Sequence, residues 1–130
     1  MRDHTKLRAF ALADEVVTDV YQATRRFPRD EMYGITSQMR RAAVSVPCNI
    51  VEGCARGSQA DYLRFLEIAF GSLRELHYQC GLSNRLGYFD CGFEELDSRI
   101  NETERVLGAL IRSLRKPQCH PTSHPTAYSP

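Results

Sequence analysis

Residues 38–58, QMRRAAVSVPCNIVEGCARGS, carry an apolar helical stripe into a run of small and polar residues, with a proline at the centre. At 100° per residue the helix extends outward from Glu31 to Arg56. Met32, Ile35, Met39, Ala42, Val46, Ile50 and Gly53 then fall on one side, at steps of three and four. Beside this core-facing seam runs a polar line: Glu31, Gln38, Arg41, Ser45, Asn49, Glu52 and Arg56. Pro47 removes a backbone donor and presses on the carbonyl of Ala43, which costs about 3 kcal/mol in a helix interior unless something compensates. Ser45 and Asn49 stand close enough to satisfy that carbonyl or to accept a bend, so a kinked second helix is expected. Kinking and a site built from Asn49, Glu52 and Arg56 are compatible readings of the same residues.

Working outward, Lys6 to Arg26 forms the first helix. Its near-heptad line is Leu7, Phe10, Ala13, Val17, Val20, Thr24 and Phe27, widened by Leu12, Val16 and Tyr21. Phe27-Pro28 ends it, because the residue before proline is pushed out of the α region. Asp30 and Glu31 suit the positive end of the helix that follows. Gly57 offers a left-handed stop, and Ser58 with Asp61 reads as the N-terminal cap of a third helix.

That helix carries Tyr62, Phe65, Leu66, Ala69, Phe70, Leu73, Leu76 and Cys80 on a wide apolar face. Gly71 and Ser72 in its middle suggest the close approach of another helix, or else a bend. Gly87 closes it, and Asp90 is expected to cap a fourth helix with the seam Phe93, Leu96, Ile100, Thr103, Leu107, Leu110 and Leu114. Asp90, Glu94, Glu95 and Asp97 come early in that helix and Arg112, Arg115 and Lys116 late, an order that complements the helix dipole. A basic patch at its end is the competing reading.

The expectation is an all-α, antiparallel up-down-up-down four-helix bundle over residues 1–116, followed by a Pro-rich tail over 117–130. Cys119, His120 and His124 in that tail are a poor metal set on so flexible a segment, and no metal or cofactor is expected. The 130 residues suffice for one core, and the net charge of +1 supplies no overall field toward nucleic acid, so any such binding must come from a local patch. No run of about 18 apolar residues suggests a membrane span. An odd count of five cysteines without a C-x-x-C pair suits reduced thiols, and the expected compartment is the cytoplasm.

Phe27-Pro28, Glu31, Tyr33-Gly34, Gln38, Arg40-Arg41-Ala42-Ala43, Ser45-Val46-Pro47, Asn49-Ile50, Glu52-Gly53, Arg56 and Ser58 together resemble the four-helix-bundle family encoded in 23S rRNA intervening sequences. The likeness continues through Phe65-Leu66, Ile68-Ala69, Gly71-Ser72 and Glu75-Leu76, and spans about residues 7–116. The resemblance implies a bundle that assembles into a homopentameric ring. It also brings in a relative, the accessory variability protein of diversity-generating retroelements, a basic pentamer that works with RNA and a reverse transcriptase. The near-zero net charge here departs from that relative.

Three functions compete. In the first, a non-enzymatic assembly holds RNA or DNA through Gln38, Arg40, Arg41, Asn49 and Arg56, repeated around a ring. In the second, the chain is a protein-interaction scaffold or accessory subunit whose interface is Arg41, Ser45, Asn49, Glu52 and Arg56. In the third, Glu52 with Asn49 and Arg56 forms a carboxylate site that draws in Tyr33 or His77. Bundle enzymes show several inward carboxylates and Glu-x-x-His pairs, and none occurs here, so no catalytic residue is assigned. His77, on an apolar face, reads as a satisfied core or interface histidine.

Overall fold

The computed structural model describes residues 2–116; the Pro-rich tail with Cys119, His120 and His124 lies outside them. Four α-helices account for most of the described chain: α1 (Arg8–Thr24), α2 (Ile35–Cys54), α3 (Gln59–Arg85) and α4 (Phe93–Arg115). Short 3-10 turns occupy His4–Lys6 and Arg29–Glu31, and no strand occurs among the described residues. Each helix packs on two others, α1 on α2, α2 on α3, α3 on α4 and α4 back on α1, the neighbour order of a four-helix bundle. No helix among the described residues is long and apolar enough to cross a membrane.

The core follows the apolar periodicity, with one rotation. In α1 the fully buried line is Ala9, Ala13, Val16, Val20 and Thr24, while Leu7, Phe10 and Val17 pack at its flank. The stripe is wide enough to settle on either edge, and the two alanines let the neighbouring helices come closer than the larger residues would. In α2 the seam holds from Met39 through Ala42, Val46 and Ile50 to Gly53, joined by Thr36, Ala43, Pro47 and Cys54. α3 buries Tyr62, Leu66, Ala69, Leu73, Leu76 and Cys80, and α4 buries Leu96, Ile100, Thr103, Leu107 and Ile111.

Several expected boundaries move. α2 begins at Ile35 rather than Glu31, so Met32 leaves the seam and is 46% exposed. Glu31 instead caps α2 from outside. Its Oε1 accepts from the Ile35 N–H at 3.3 Å, and its Oε2 accepts from the Tyr88 hydroxyl at 2.8 Å. Gly34 makes this possible, since a Cβ there would lie 2.5 Å from Glu31 Oε1. Ser58 caps α3 as expected, its Oγ accepting from the Asp61 N–H at 3.1 Å. Gly57 is not a left-handed cap; the positive-φ glycines are Gly87, which follows α3, and Gly92, which stands at the start of α4 in place of Asp90. Asp90 pairs with Arg26 at 3.3 Å instead.

Pro47 lies inside α2, which continues unbroken across it. The Asn49 amide donates to the Ser45 carbonyl at 2.8 Å and to Ser45 Oγ at 3.0 Å, and so does not serve the Ala43 carbonyl that Pro47 frees. The close helix approach expected near Gly71 is found elsewhere. A Cβ on Gly71 would meet nothing within 4 Å, whereas one on Gly53 would sit 3.0 Å from Phe65 Cβ and 3.2 Å from the Tyr62 carbonyl oxygen. Ser72 does reach α2, with its Oγ 2.9 Å from Ser45 Oγ.

Candidate functional site

The polar line along α2 divides into three groups with different surroundings. Just past the C-terminal end of α2, Arg56 pairs with Glu52 in its last turn and lies 4.7 Å above the Phe65 ring. The N-terminal segment closes over this end. Arg2 donates from its backbone to the Cys54 carbonyl at 3.1 Å and from its guanidinium to the Arg56 carbonyl at 3.0 Å. It also stacks 4.0 Å from the Tyr62 ring. In the middle, Asn49 and Ser45 bond to each other and to Ser72. Both groups hold α2 to itself or to α3.

The N-terminal group is different. Gln38, Arg41 and Ser45 line a depression of about 450 Å³ between α2 and α3, closed on the far side by Ser72 and Glu75. A second, open depression of about 650 Å³ lies on the other side of Arg41, between α2, the end of α1 and the turn before α2. Its lining includes Tyr21, Tyr33, Thr36, Arg40 and Arg41. Arg41 and Ser45 belong to both, so Arg41 stands on the ridge between them.

The two adjacent arginines are held in contrasting ways. Arg40 donates from Nε to Thr24 Oγ1 at 2.9 Å, and its guanidinium lies 4.6 Å over the Tyr21 ring. This fixes the plane while the terminal nitrogens make no hydrogen bond among the described residues, a fork already oriented for an oxyanion. Arg41 is exposed and forms no ion pair among the described residues. Thr36 is 2% exposed, and its buried Oγ1 has no hydrogen-bond partner among the described residues.

Of the residues singled out from sequence, Gln38, Arg40, Arg41 and Ser45 therefore border open depressions, and Asn49, Glu52 and Arg56 are engaged within the chain. Tyr33 is 97% exposed beside Arg40 and Arg41 and shares no pocket with Glu52. His77 lies between α3 and α4, with Nδ1 2.8 Å from Glu104 Oε2 and Nε2 3.2 Å from Asp97 Oδ1; Arg74 completes the group at 3.1 Å from Glu104. Contacts from two α4 carboxylates to opposite ring nitrogens let His77 clamp α3 to α4. Sequence reasoning missed Tyr21, Met32 and Thr36 as neighbours of the arginines. Assigning Met32 to the core had hidden the turn that brings them together.

The titrations that shift belong to packing. Burial pushes the Cys80 thiol up to about 12, the Asp97 charge adding to it. Burial also raises Cys54 and Tyr62, which pack together, and the hydrogen bond to Glu31 raises Tyr88.

Helix order, burial and the α2 ridge define a small all-helical bundle protein with an open polar-aromatic face on α2. Residues 5–109 match the family described as 23S rRNA-intervening sequence protein. This chain belongs to that family. The fold is also similar to the crystal structure of a protein of unknown function from the S23 ribosomal protein family of Bacteroides thetaiotaomicron. The TM-score is 0.73 at 21% identity, over 80% of this chain and 95% of that one. No curated protein matches the chain in sequence.

Proposed function

We propose that this chain is a non-enzymatic, oligomeric four-helix-bundle protein that associates with RNA or DNA through the N-terminal half of α2. The observation that carries this reading is the ridge at Arg41, a cation without a carboxylate partner between two open depressions, next to an Arg40 whose outer nitrogens are free. In a chain of net charge +1, such a local patch is what nucleic-acid association requires. The order of the cross-helix pairs, Arg8 with Glu102, Glu15 with Arg99 and Arg26 with Asp90, supports an antiparallel up-down-up-down arrangement.

Assembly into the pentameric ring implied by family resemblance is supported by the outward row Val44, Cys48 and Val51 on α2, continued by Ala55 at its C-cap, all exposed at steps of four, three and four. The four free thiols among the described residues suit the reducing cytoplasm. The second reading, a protein-interaction scaffold or accessory subunit, takes the polar line Arg41, Ser45, Asn49, Glu52 and Arg56 as its interface, with the same apolar row beside it.

Sedimentation of the purified chain and nucleic-acid binding across a salt series test both. The expected outcomes are a mass above the monomer and an affinity that falls as salt rises, with a log–log slope of about −0.7 per phosphate neutralised on a single strand and about −0.9 on a duplex. Arg41→Glu should abolish binding without changing the mass, and Val51→Glu should lower the mass. An oligomer that binds no nucleic acid at any salt would leave the scaffold reading. A monomer that binds none would remove both.

A further inference from the structure

We infer that the depression bounded by Tyr21, Tyr33, Thr36, Arg40 and Arg41 is a site for an unpaired nucleotide within a single strand, rather than a contact for duplex backbone. This inference rests on the nucleic-acid reading above and narrows its ligand class. The first observation is electrostatic. The lining contains two arginines and no carboxylate, and Glu31, which precedes it in sequence, turns its oxygens to the Ile35 N–H and the Tyr88 hydroxyl. Bound to Thr24 and stacked on Tyr21, Arg40 presents a fixed fork, while Arg41 is free to adjust. One rigid and one mobile guanidinium suit a phosphodiester whose position varies along a flexible strand.

The second observation is the aromatic component. Tyr33 is 97% exposed at the turn entering α2, next to the half-exposed Met32. A duplex keeps its bases stacked inside, so a side chain of this kind has nothing to receive there, whereas an unpaired base offers a free π-face. The third observation is Thr36. It lines the depression, and its Oγ1, buried just beneath the wall, has no hydrogen-bond partner among the described residues. Cation, stacking platform and unpartnered hydroxyl thus meet at one depression; the face at Arg74, Tyr78 and Arg85 shares the first two but not the third.

The chain contains no tryptophan, so Tyr33→Trp places a single reporter at the platform. The probes are single-stranded oligoribonucleotides and oligodeoxyribonucleotides of mixed sequence, their duplexes, and inorganic polyphosphate, each titrated against the full chain. Single strands should quench the Tyr33→Trp emission and bind roughly tenfold more tightly than duplexes, with polyphosphate giving no quenching; the ribo and deoxyribo arms assign the sugar. Tyr33→Ala should weaken single-strand binding roughly tenfold, the scale of one stacked base, and leave duplex binding unchanged. Thr36→Val should weaken single-strand binding without lowering thermal stability.

Equal affinity for single strand and duplex without quenching would overturn the stacking site, while salt-dependent binding lost in Arg41→Glu would preserve the broader reading. No binding of any probe would overturn both. A fall in oligomer mass on Tyr33→Ala would assign the platform to a second copy of the chain and overturn the nucleotide site.

Discussion

The face built around α4 and the outer face of α2 treat charge in opposite ways. Around α4, Glu102 pairs with Arg8, Arg99 with Glu15 and Asp19, and Arg115 with Glu67, while Glu104 and Asp97 hold His77 beside Arg74. On the outer face of α2, among the described residues, Arg41 has no carboxylate partner and Arg40 reaches only Thr24 and Tyr21, with Val44, Cys48 and Val51 exposed nearby. The two faces add up to a chain of net charge +1, which conceals how unevenly charge is used. One side pairs many of its charges across helices, though Arg105 and Arg112 stay outside those pairs; the other leaves Arg41 beside exposed apolar surface.

The largest measurable contrast is chemical reactivity. Cys48, on the outer face of α2, is exposed, whereas Cys80 is fully buried between helices, with its thiol pushed up to about 12. Thiolate is the reactive form, so at pH 8 a water-soluble thiol reagent should modify Cys48 and Cys91 at once. Cys54 and Cys80 should be modified only on unfolding, orders of magnitude more slowly, as peptide mapping by mass spectrometry would read. The linkage runs one way. Because the folded thiol of Cys80 is raised from 9.0 to about 12, its contribution to stability is fully present below pH 9 and is lost as pH rises through 12. If Cys48 instead proved as protected as Cys80 in the native oligomer, the α2 face would already be covered by another subunit, and the comparison would be redrawn in favour of assembly.

Stability offers a second contrast, between two glycines that look alike in sequence. Gly53 lets α2 lie against α3, where a Cβ would fall 3.0 Å from Phe65 and 3.2 Å from a backbone oxygen. Gly53→Ala should therefore cost about 1–3 kcal/mol by overpacking. Gly71 has open space around it in the middle of α3, so Gly71→Ala should stabilise by about 0.5–1 kcal/mol through helix propensity alone. Chemical denaturation of the two variants reads both signs. Equal effects would mean that the α2–α3 approach is no tighter than the rest of the bundle.

Those glycines mark what could be read in advance. Four helices, their seams, the Ser58 cap and the stop at Gly87 follow from periodicity and turn chemistry, which are local. The reading faltered where tertiary contacts decide. Gly53 rather than Gly71 takes the close approach because Tyr62 and Phe65 face it, and spacing along α3 cannot reveal that. Met32 has the period of a core residue, yet the Glu31 cap on Ile35 and Tyr88 starts the helix after it. The candidate site was half legible for the same reason. Arg40 and Arg41 stand out in sequence, but only the fold separates a fixed guanidinium from a free one and sets Tyr21, Tyr33 and Thr36 beside them. Asn49, Glu52 and Arg56 form a regular line that reads as a site, and their partners turn out to lie within α2, just past its end or at its packing contact.

The smallest effect tests whether pairing on the α4 side stabilises the fold at all. Asp19 lies 3.3 Å from Arg99 Nε, yet burial raises its carboxyl above the ordinary value by more than Arg99 lowers it, with Glu15 adding in the same direction. A carboxyl raised in the folded state contributes stability that is fully present below its unfolded value of 3.8 and is lost as pH rises through the folded value. At neutral pH the charge on Asp19 is thus a small net burden in spite of its partner, as desolvation of partly buried pairs allows. Asp19→Asn should leave the fold unchanged or more stable by about 0.5 kcal/mol at pH 7, with Arg99 retained by Glu15 at 2.7 Å, and the gain should vanish below pH 3.8. Thermal melts at the two pH values decide it. A variant less stable at pH 7 would make the ion pairs around α4 stabilising in their own right. A neutral or stabilised one would leave them the role of fixing which helices meet, and would locate the unspent interaction energy of the molecule on the outer face of α2.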